Sequence, residues 1–154
     1  MSIIPSKQNK YIYNERPFLI YWELTRSCDL ACKHCRAEAQ HYRNPLELDT
    51  EACFKVLEEI KSFGQPTPQV VITGGDPLKH PDWLAVLQKA KELDIPVAMS
   101  PSGTNSLNRE AFQHFKDNNV LAMSLSIDGA TRESHDAFRG VEGTWDHTMR
   151  AMEY

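Results

Sequence analysis

Three of the four cysteines, Cys28, Cys32 and Cys35, share the spacing C-x3-C-x2-C; the fourth is Cys53. A disulfide framework spreads its pairs along a small secreted chain, whereas close-set thiols in a reducing compartment mark a metal or redox site. Two metal chemistries suit the trio. A structural zinc ion needs a fourth ligand, for which His34 or His41 is at hand. Zinc sites, however, usually pair two separated C-x2-C knuckles, and no second half is present. An iron–sulfur cubane has four iron corners, so three thiolates leave one iron open to an added ligand. Cys53 falls on the inner face of an expected helix and reads as packing.

The elements that must position these thiols alternate. Strands are expected over 18–24, 70–72, 97–99 and 120–127. Between and after them come helical patterns. Asp49 and Thr50 cap a face of Ala52, Val56, Leu57 and Ile60, which Gly64 stops. Pro81 suits the first turn of a helix carrying Leu84, Leu87 and Ala90. A third helix over 108–117 turns Ala111, Phe112 and Phe115 inward, and Thr144 caps a last one with Trp145, Met149 and Met152 inside. Four strand–helix units predict an α/β fold with parallel pairing, right-handed crossovers and strands apolar on both faces. An open doubly wound sheet and a barrel both satisfy that pattern.

Each strand runs straight into polar or glycine-rich residues: Thr25-Arg26-Ser27-Cys28, Thr73-Gly74-Gly75-Asp76, Ser100-Pro101-Ser102-Gly103 and Ser126-Ile127-Asp128-Gly129. The carboxyl ends of parallel strands gather on one side, where ligands bind. Four distant segments therefore converge on one cleft with the cysteines at its mouth.

The chain has 154 residues, the size of one domain, with 41% hydrophobic and 25% charged residues. Lys plus Arg is 17 against 21 for Asp plus Glu, a net charge of −4, which excludes a nucleic-acid partner held by counterion release. No apolar run approaches a membrane span, and the tail over 1–16 lacks the apolar core of a secretory signal. A cytoplasmic protein without a membrane partner is expected.

The stretch Cys28-Asp29-Leu30-Ala31-Cys32-Lys33-His34-Cys35 resembles the cluster signature of the radical S-adenosylmethionine (radical SAM) enzymes. The resemblance implies a 4Fe-4S cluster on Cys28, Cys32 and Cys35, whose open iron is chelated by S-adenosylmethionine. Reductive cleavage then yields a 5′-deoxyadenosyl radical. Gly74-Gly75-Asp76-Pro77 is similar to the family's Gly-Gly-Glu-Pro segment, which receives the methionine amino group, with Asp76 one methylene shorter than the usual Glu. Ser126 and Asp128 match the Ser-x-Asp-Gly tip that approaches the ribose, and His34 takes the position beside adenine. Ser102 stands in a Ser-Pro-Ser-Gly tip where Thr-Asn-Gly is commoner. The run His135-Asp136-Ala137-Phe138-Arg139-Gly140 resembles that of haem-pathway and peptide-maturing members.

The same resemblance implies a partial barrel of six strand–helix units. Four are legible over 17–154 and the chain ends at Tyr154 inside a helical pattern, so a truncated N-terminal portion with an uncovered apolar fourth strand is expected. A small-molecule or peptide substrate and an electron donor such as a ferredoxin or flavodoxin are the implied partners. Plainer readings stand beside these. Gly74 and Gly75 suit any tight turn, Asp76 and Asp128 are common turn formers, and Arg139 can pair with any nearby acid. Trp22, Trp83 and Trp145 read as core cover, and the whole chain as a non-catalytic zinc or electron-transfer module is the alternative.

Overall fold

The computed structural model describes residues 13–154; of the expected tail over 1–16, residues 1–12 lie outside the described residues. The elements run β1 (Leu19–Thr25), α1 (Thr50–Ser62), β2 (Gln69–Gly74), a 3-10 turn (Pro77–Lys79), α2 (Trp83–Glu92), β3 (Val97–Met99), α3 (Arg109–Asp117), β4 (Ala122–Met123), α4 (Arg132–Arg139) and α5 (Thr144–Ala151). All strand pairs are parallel and the sheet order is β1-β2-β3-β4. The order never reverses, so right-handed crossovers place every connecting helix on the same side of the sheet. That winding is the barrel type and not the doubly wound type. The fold is a four-stranded parallel sheet flanked by helices, consistent with part of a β/α barrel.

Local chemistry explains most boundaries. Asp49 Oδ1 accepts from Ala52 N at 2.8 Å and starts α1, which buries Cys53, Leu57 and Ile60 along one stripe. Asn108 Oδ1 does the same for α3 from Ala111 N at 3.0 Å, with Ala111 and Phe115 buried. Those stripes meet Leu24, Val70, Ile72, Val97 and Met99 of the strands, together with Val86, Leu87 and Ala90 of α2. Completely burying a side chain such as Leu57 or Leu87 stabilises by about 1.5–3 kcal/mol.

Five expectations are corrected. First, β1, unlike β3, is not apolar on both faces: its side away from the helices carries Tyr21, 64% exposed, and Glu23. Second, Pro81 lies outside α2, whose N-cap is Asp82; the 3-10 turn and His80, whose Nδ1 accepts from Asp82 N, occupy the preceding residues. Leu84 is half-buried there, and Val86 joins the expected Leu87 and Ala90 on the inward face.

Third, the strand expected over 120–127 narrows to Ala122–Met123, because β3 stops at Met99 and offers nothing further to pair with. Fourth, α4 had no expected counterpart. Its buried residues, His135, Asp136 and Arg139, are all polar, so it shows no apolar periodicity. Fifth, Thr144 does not cap α5. Gly143 is the N-cap, and the Asp136 carboxylate of α4 accepts from Gly143 N and Trp145 N, both at 2.7 Å. The buried side of α5 is Thr144, Thr148 and Ala151, while Met152 is 50% exposed. A Cβ on Gly103 would strike Thr148, so only small side chains fit where α5 meets the β3 tip.

Candidate functional site

The carboxyl ends of the four strands carry the candidate residues, and the loop after β1 carries the sulfurs. That loop closes on itself at its base: Cys28 N donates to Gln40 O and Gln40 N to Arg26 O, each at 2.8 Å. All three loop cysteines are free, as is Cys53, which is completely buried, with burial pushing its thiol up to about 11. Packing is its observed role.

Each loop sulfur accepts one N–H donor. Leu30 N reaches Cys28 Sγ at 3.4 Å, Arg139 Nη1 reaches Cys32 Sγ at 3.6 Å and Ala39 N reaches Cys35 Sγ at 3.3 Å. Soft thiolates are the donors iron–sulfur groups take, and hydrogen bonds to the sulfurs are a standard way to tune them. The donor set therefore fits such a group in chemistry. Among the described residues no three His, Cys, Asp or Glu side chains are drawn together closely enough to hold a metal ion. This bears equally on zinc held with His34 or His41.

On one side of the loop Cys28 meets buried hydroxyl and backbone groups, with an exposed Lys79–Asp29 ion pair at 2.7 Å beyond them. Cys28 is 3% exposed, and burial pushes its thiol up against the opposing pull of Ser102 and Leu30. Its Sγ lies 3.5 Å from Ser102 Oγ, which donates to Gly75 O at 2.9 Å. The β2 tip crosses the β1 tip through Gly75 N to Thr25 O and Asp76 N to Ser27 O, both 2.8 Å. That approach explains the glycine pair. Gly74 sits at φ 129° and a Cβ on it would strike Thr25 O, while a Cβ on Gly75 would lie 2.6 Å from Ser27 O.

Asp76 is completely buried, and its two oxygens are occupied by protein donors. Oδ1 accepts from Leu78 N at 3.2 Å and Ser102 N at 3.4 Å; Oδ2 accepts from Thr104 Oγ1 at 2.9 Å. Burial raises its carboxyl above the ordinary range in spite of those donors. Asp76 also caps the 3-10 turn, which is the turn-forming role expected of it.

On the other side the contacts are charged. Arg139 Nε lies 2.7 Å from Asp128 Oδ2, an ion pair whose N–H axis is not aligned for a hydrogen bond. His34 Nε2 lies 3.9 Å from Asp128 Oδ1, and the His34 ring stacks on Phe138 with centroids 4.6 Å apart. His135 is completely buried; its Nδ1 accepts from Asp128 N at 3.2 Å, and burial, then the Arg139 charge, hold its pKa below the usual value. Ser126 is exposed on the same tip.

The structure thus brings Cys28, Gly74, Gly75, Asp76 and Ser102 into one chain of contacts, and Cys32, His34 and Asp128 into another. Glu23 pairs with Arg36 at 2.9 Å on the open side of β1. Thr104 and His135 were missed as site residues. Thr104 gave no signal, but the Thr131–Ser134 capping box and Gly140 bracket the helix that carries His135. A cleft of about 200 Å³ beside the loop is lined by Asp29, Leu30, Thr104, Glu142 and His147, among others. A roomier one, about 830 Å³, lies at the opposite, amino-terminal ends of the strands, against Gln65, Pro96 and Val120. It is remote from the sulfurs.

The Radical SAM superfamily model matches residues 22–154. An "AdoMet-dependent heme synthase" of Oleidesulfovibrio alaskensis is 40% identical over 136 residues, which is 88% of this chain and 34% of that protein. An "Fe-coproporphyrin III synthase" of Methanosarcina barkeri is 30% identical over 149 residues, 97% of this chain and 36% of that protein. The chain thus spans about a third of the length of these curated relatives. Among solved structures, Streptococcus suis SuiB bound to S-adenosylmethionine superposes with a TM-score of 0.76 at 19% identity, over 90% of this chain and 31% of that one. That likeness concerns the fold.

Proposed function

The chain belongs to the radical SAM superfamily, and from that premise we propose that it is the cofactor-binding portion of a radical SAM oxidoreductase. The observation that carries the reading is the loop after β1, whose three free thiols each accept one N–H donor at the carboxyl end of a parallel sheet. Cys28, Cys32 and Cys35 would hold a 4Fe-4S cluster with one iron left for S-adenosylmethionine. When bound, that pair supplies a one-electron cleavage that makes a 5′-deoxyadenosyl radical able to take hydrogen from a substrate.

The chain's own residues supply placement. Gly74 and Gly75 bring the β2 backbone against the sulfur loop with no side chain in the way. Asp76, held by Thr104, Leu78 and Ser102, fixes that backbone, and its carboxylate would be the acid that receives the methionine amino group. His34, braced on Phe138, presents a flat ring face for an adenine, and Ser126 with Asp128 presents polar groups for ribose hydroxyls. The two curated relatives described above are named for haem-pathway synthesis, which favours a tetrapyrrole over a peptide as substrate. A ferredoxin or flavodoxin would deliver the electron.

The experiment is anaerobic reconstitution with iron and sulfide. The reading expects a brown protein with about four irons and four sulfides per chain, whose reduced paramagnetic signal changes on adding S-adenosylmethionine. Any one of Cys28→Ala, Cys32→Ala or Cys35→Ala abolishes both. A colourless protein that retains one zinc ion, or a spectrum indifferent to S-adenosylmethionine, overturns it in favour of the non-catalytic module.

A further inference from the structure

Helix α4 is stitched at once to the sulfur loop and to the tip after β4. Its last backbone carbonyls reach into the loop: Phe138 O accepts from Lys33 N at 3.0 Å and Arg139 O from Ala31 N at 3.1 Å. Gly140, at φ 73°, ends the helix directly against the loop, where a Cβ would lie 2.5 Å from Ala31 O. On the preceding turn of α4, His135 Nδ1 holds the Asp128 amide. The Arg139 guanidinium lies between the two attachments, with Nε 2.7 Å from the Asp128 carboxylate and Nη1 donating to Cys32 Sγ. The side chains of Arg139 and Asp128 are 10% and 22% exposed, so solvent screens this pair weakly.

We propose that Arg139 is a positioning residue for Cys32, with Asp128 as its counter-charge. It fixes where that sulfur sits and the field around it, and so sets the potential of the iron–sulfur group the loop holds. This rests on the reading of Cys32 as a cluster ligand. Reduction adds negative charge to a cluster, so a guanidinium donating to a ligand sulfur favours the reduced form, and a carboxylate beside that guanidinium opposes it. The two residues must therefore act with opposite sign. Merely structural residues would not.

The test compares anaerobically reconstituted wild type with Arg139→Gln, Arg139→Lys and Asp128→Asn. Iron and sulfide content, midpoint potential without S-adenosylmethionine and the rate of iron loss to a chelator are measured. In Arg139→Gln the oxidised-to-reduced ratio at fixed potential rises roughly tenfold, a shift of about 59 mV to the negative for one electron, and iron leaves severalfold faster. Asp128→Asn shifts the potential to the positive, and Arg139→Lys falls between wild type and Arg139→Gln. If Arg139→Gln fails to fold, the other two variants decide by the same signs. Equal potentials and iron-loss rates in loaded wild type and the Arg139 variants overturn this inference alone. A wild type that takes up no cluster overturns the cofactor reading and this one with it.

Discussion

The two flanks of the sulfur loop solve the same problem by different physics. On the Cys28 side, hydroxyls and backbone amides surround a thiol and a carboxylate that water does not reach. On the Cys32 side, a guanidinium, a carboxylate and an imidazole meet at the surface of α4. The acids show the contrast. Asp76 and Asp136 are both buried, yet burial raises the first above the ordinary carboxyl range, while the second lies below it. For Asp136 burial also pushes upward, but two backbone N–H groups at 2.7 Å, from Trp145 and Gly143 at the start of α5, outweigh it. The longer contacts to Asp76, with Asp29 repelling it, do not. An acid's charge follows the balance of burial against donors: two close ones prevail at Asp136, and three longer ones do not at the more deeply buried Asp76.

The strongest way to break this contrast is to wedge open the dry flank. Gly75→Ala places a methyl against the Ser27 and Arg26 carbonyls, at 2.6 and 2.7 Å, where only backbone can give way. A loss of about 3 kcal/mol in urea unfolding is expected, with Cys28 becoming reactive to a thiol reagent. An unchanged midpoint would mean that the two tips are not in contact.

Asp136→Ala attacks the charged flank by stripping the start of α5 of its two acceptor contacts, at about 2 kcal/mol. Because the folded carboxyl lies below its ordinary value of 3.8, its contribution is present above that pH and lost as pH falls through the folded value. The variant should therefore lose that part of the acid dependence, read from unfolding midpoints between about pH 5 and pH 2.

Asp76→Asn should do the reverse at smaller cost, on the order of 1 kcal/mol or less. A carboxyl raised in the folded state stabilises most below its unfolded pKa and is lost as pH rises through the folded value. The neutral amide removes that rising-pH loss. A variant whose stability still falls with pH as wild type does would contradict the assigned direction. Smallest of all, Arg36→Ala removes an exposed partner of Glu23 and should shift stability by no more than about 0.5 kcal/mol.

Much of this scaffold was legible because it is written in apolar spacing. Asp49 and Asn108 announce α1 and α3, and the runs at 70–72 and 97–99 announce β2 and β3. The sulfur spacing and the Gly74-Gly75-Asp76 tip marked the site in the same way. What escaped is held by polar groups. α4 buries His135, Asp136 and Arg139 in place of aliphatics, and α5 takes its cap from a side chain seven residues upstream. The choice between two windings of the sheet also lay outside local pattern, since strand order is a long-range property.

The contact between Arg139 and Cys32 joins positions 107 residues apart. On a ribosome adding about 5–20 residues per second, the thiols would emerge roughly 5–20 seconds before the helix that braces them. Over that interval a nascent chain displays three unguarded sulfurs to oxygen and stray metals. Delivery of iron during translation would meet a floppy hook, and delivery afterwards a braced one.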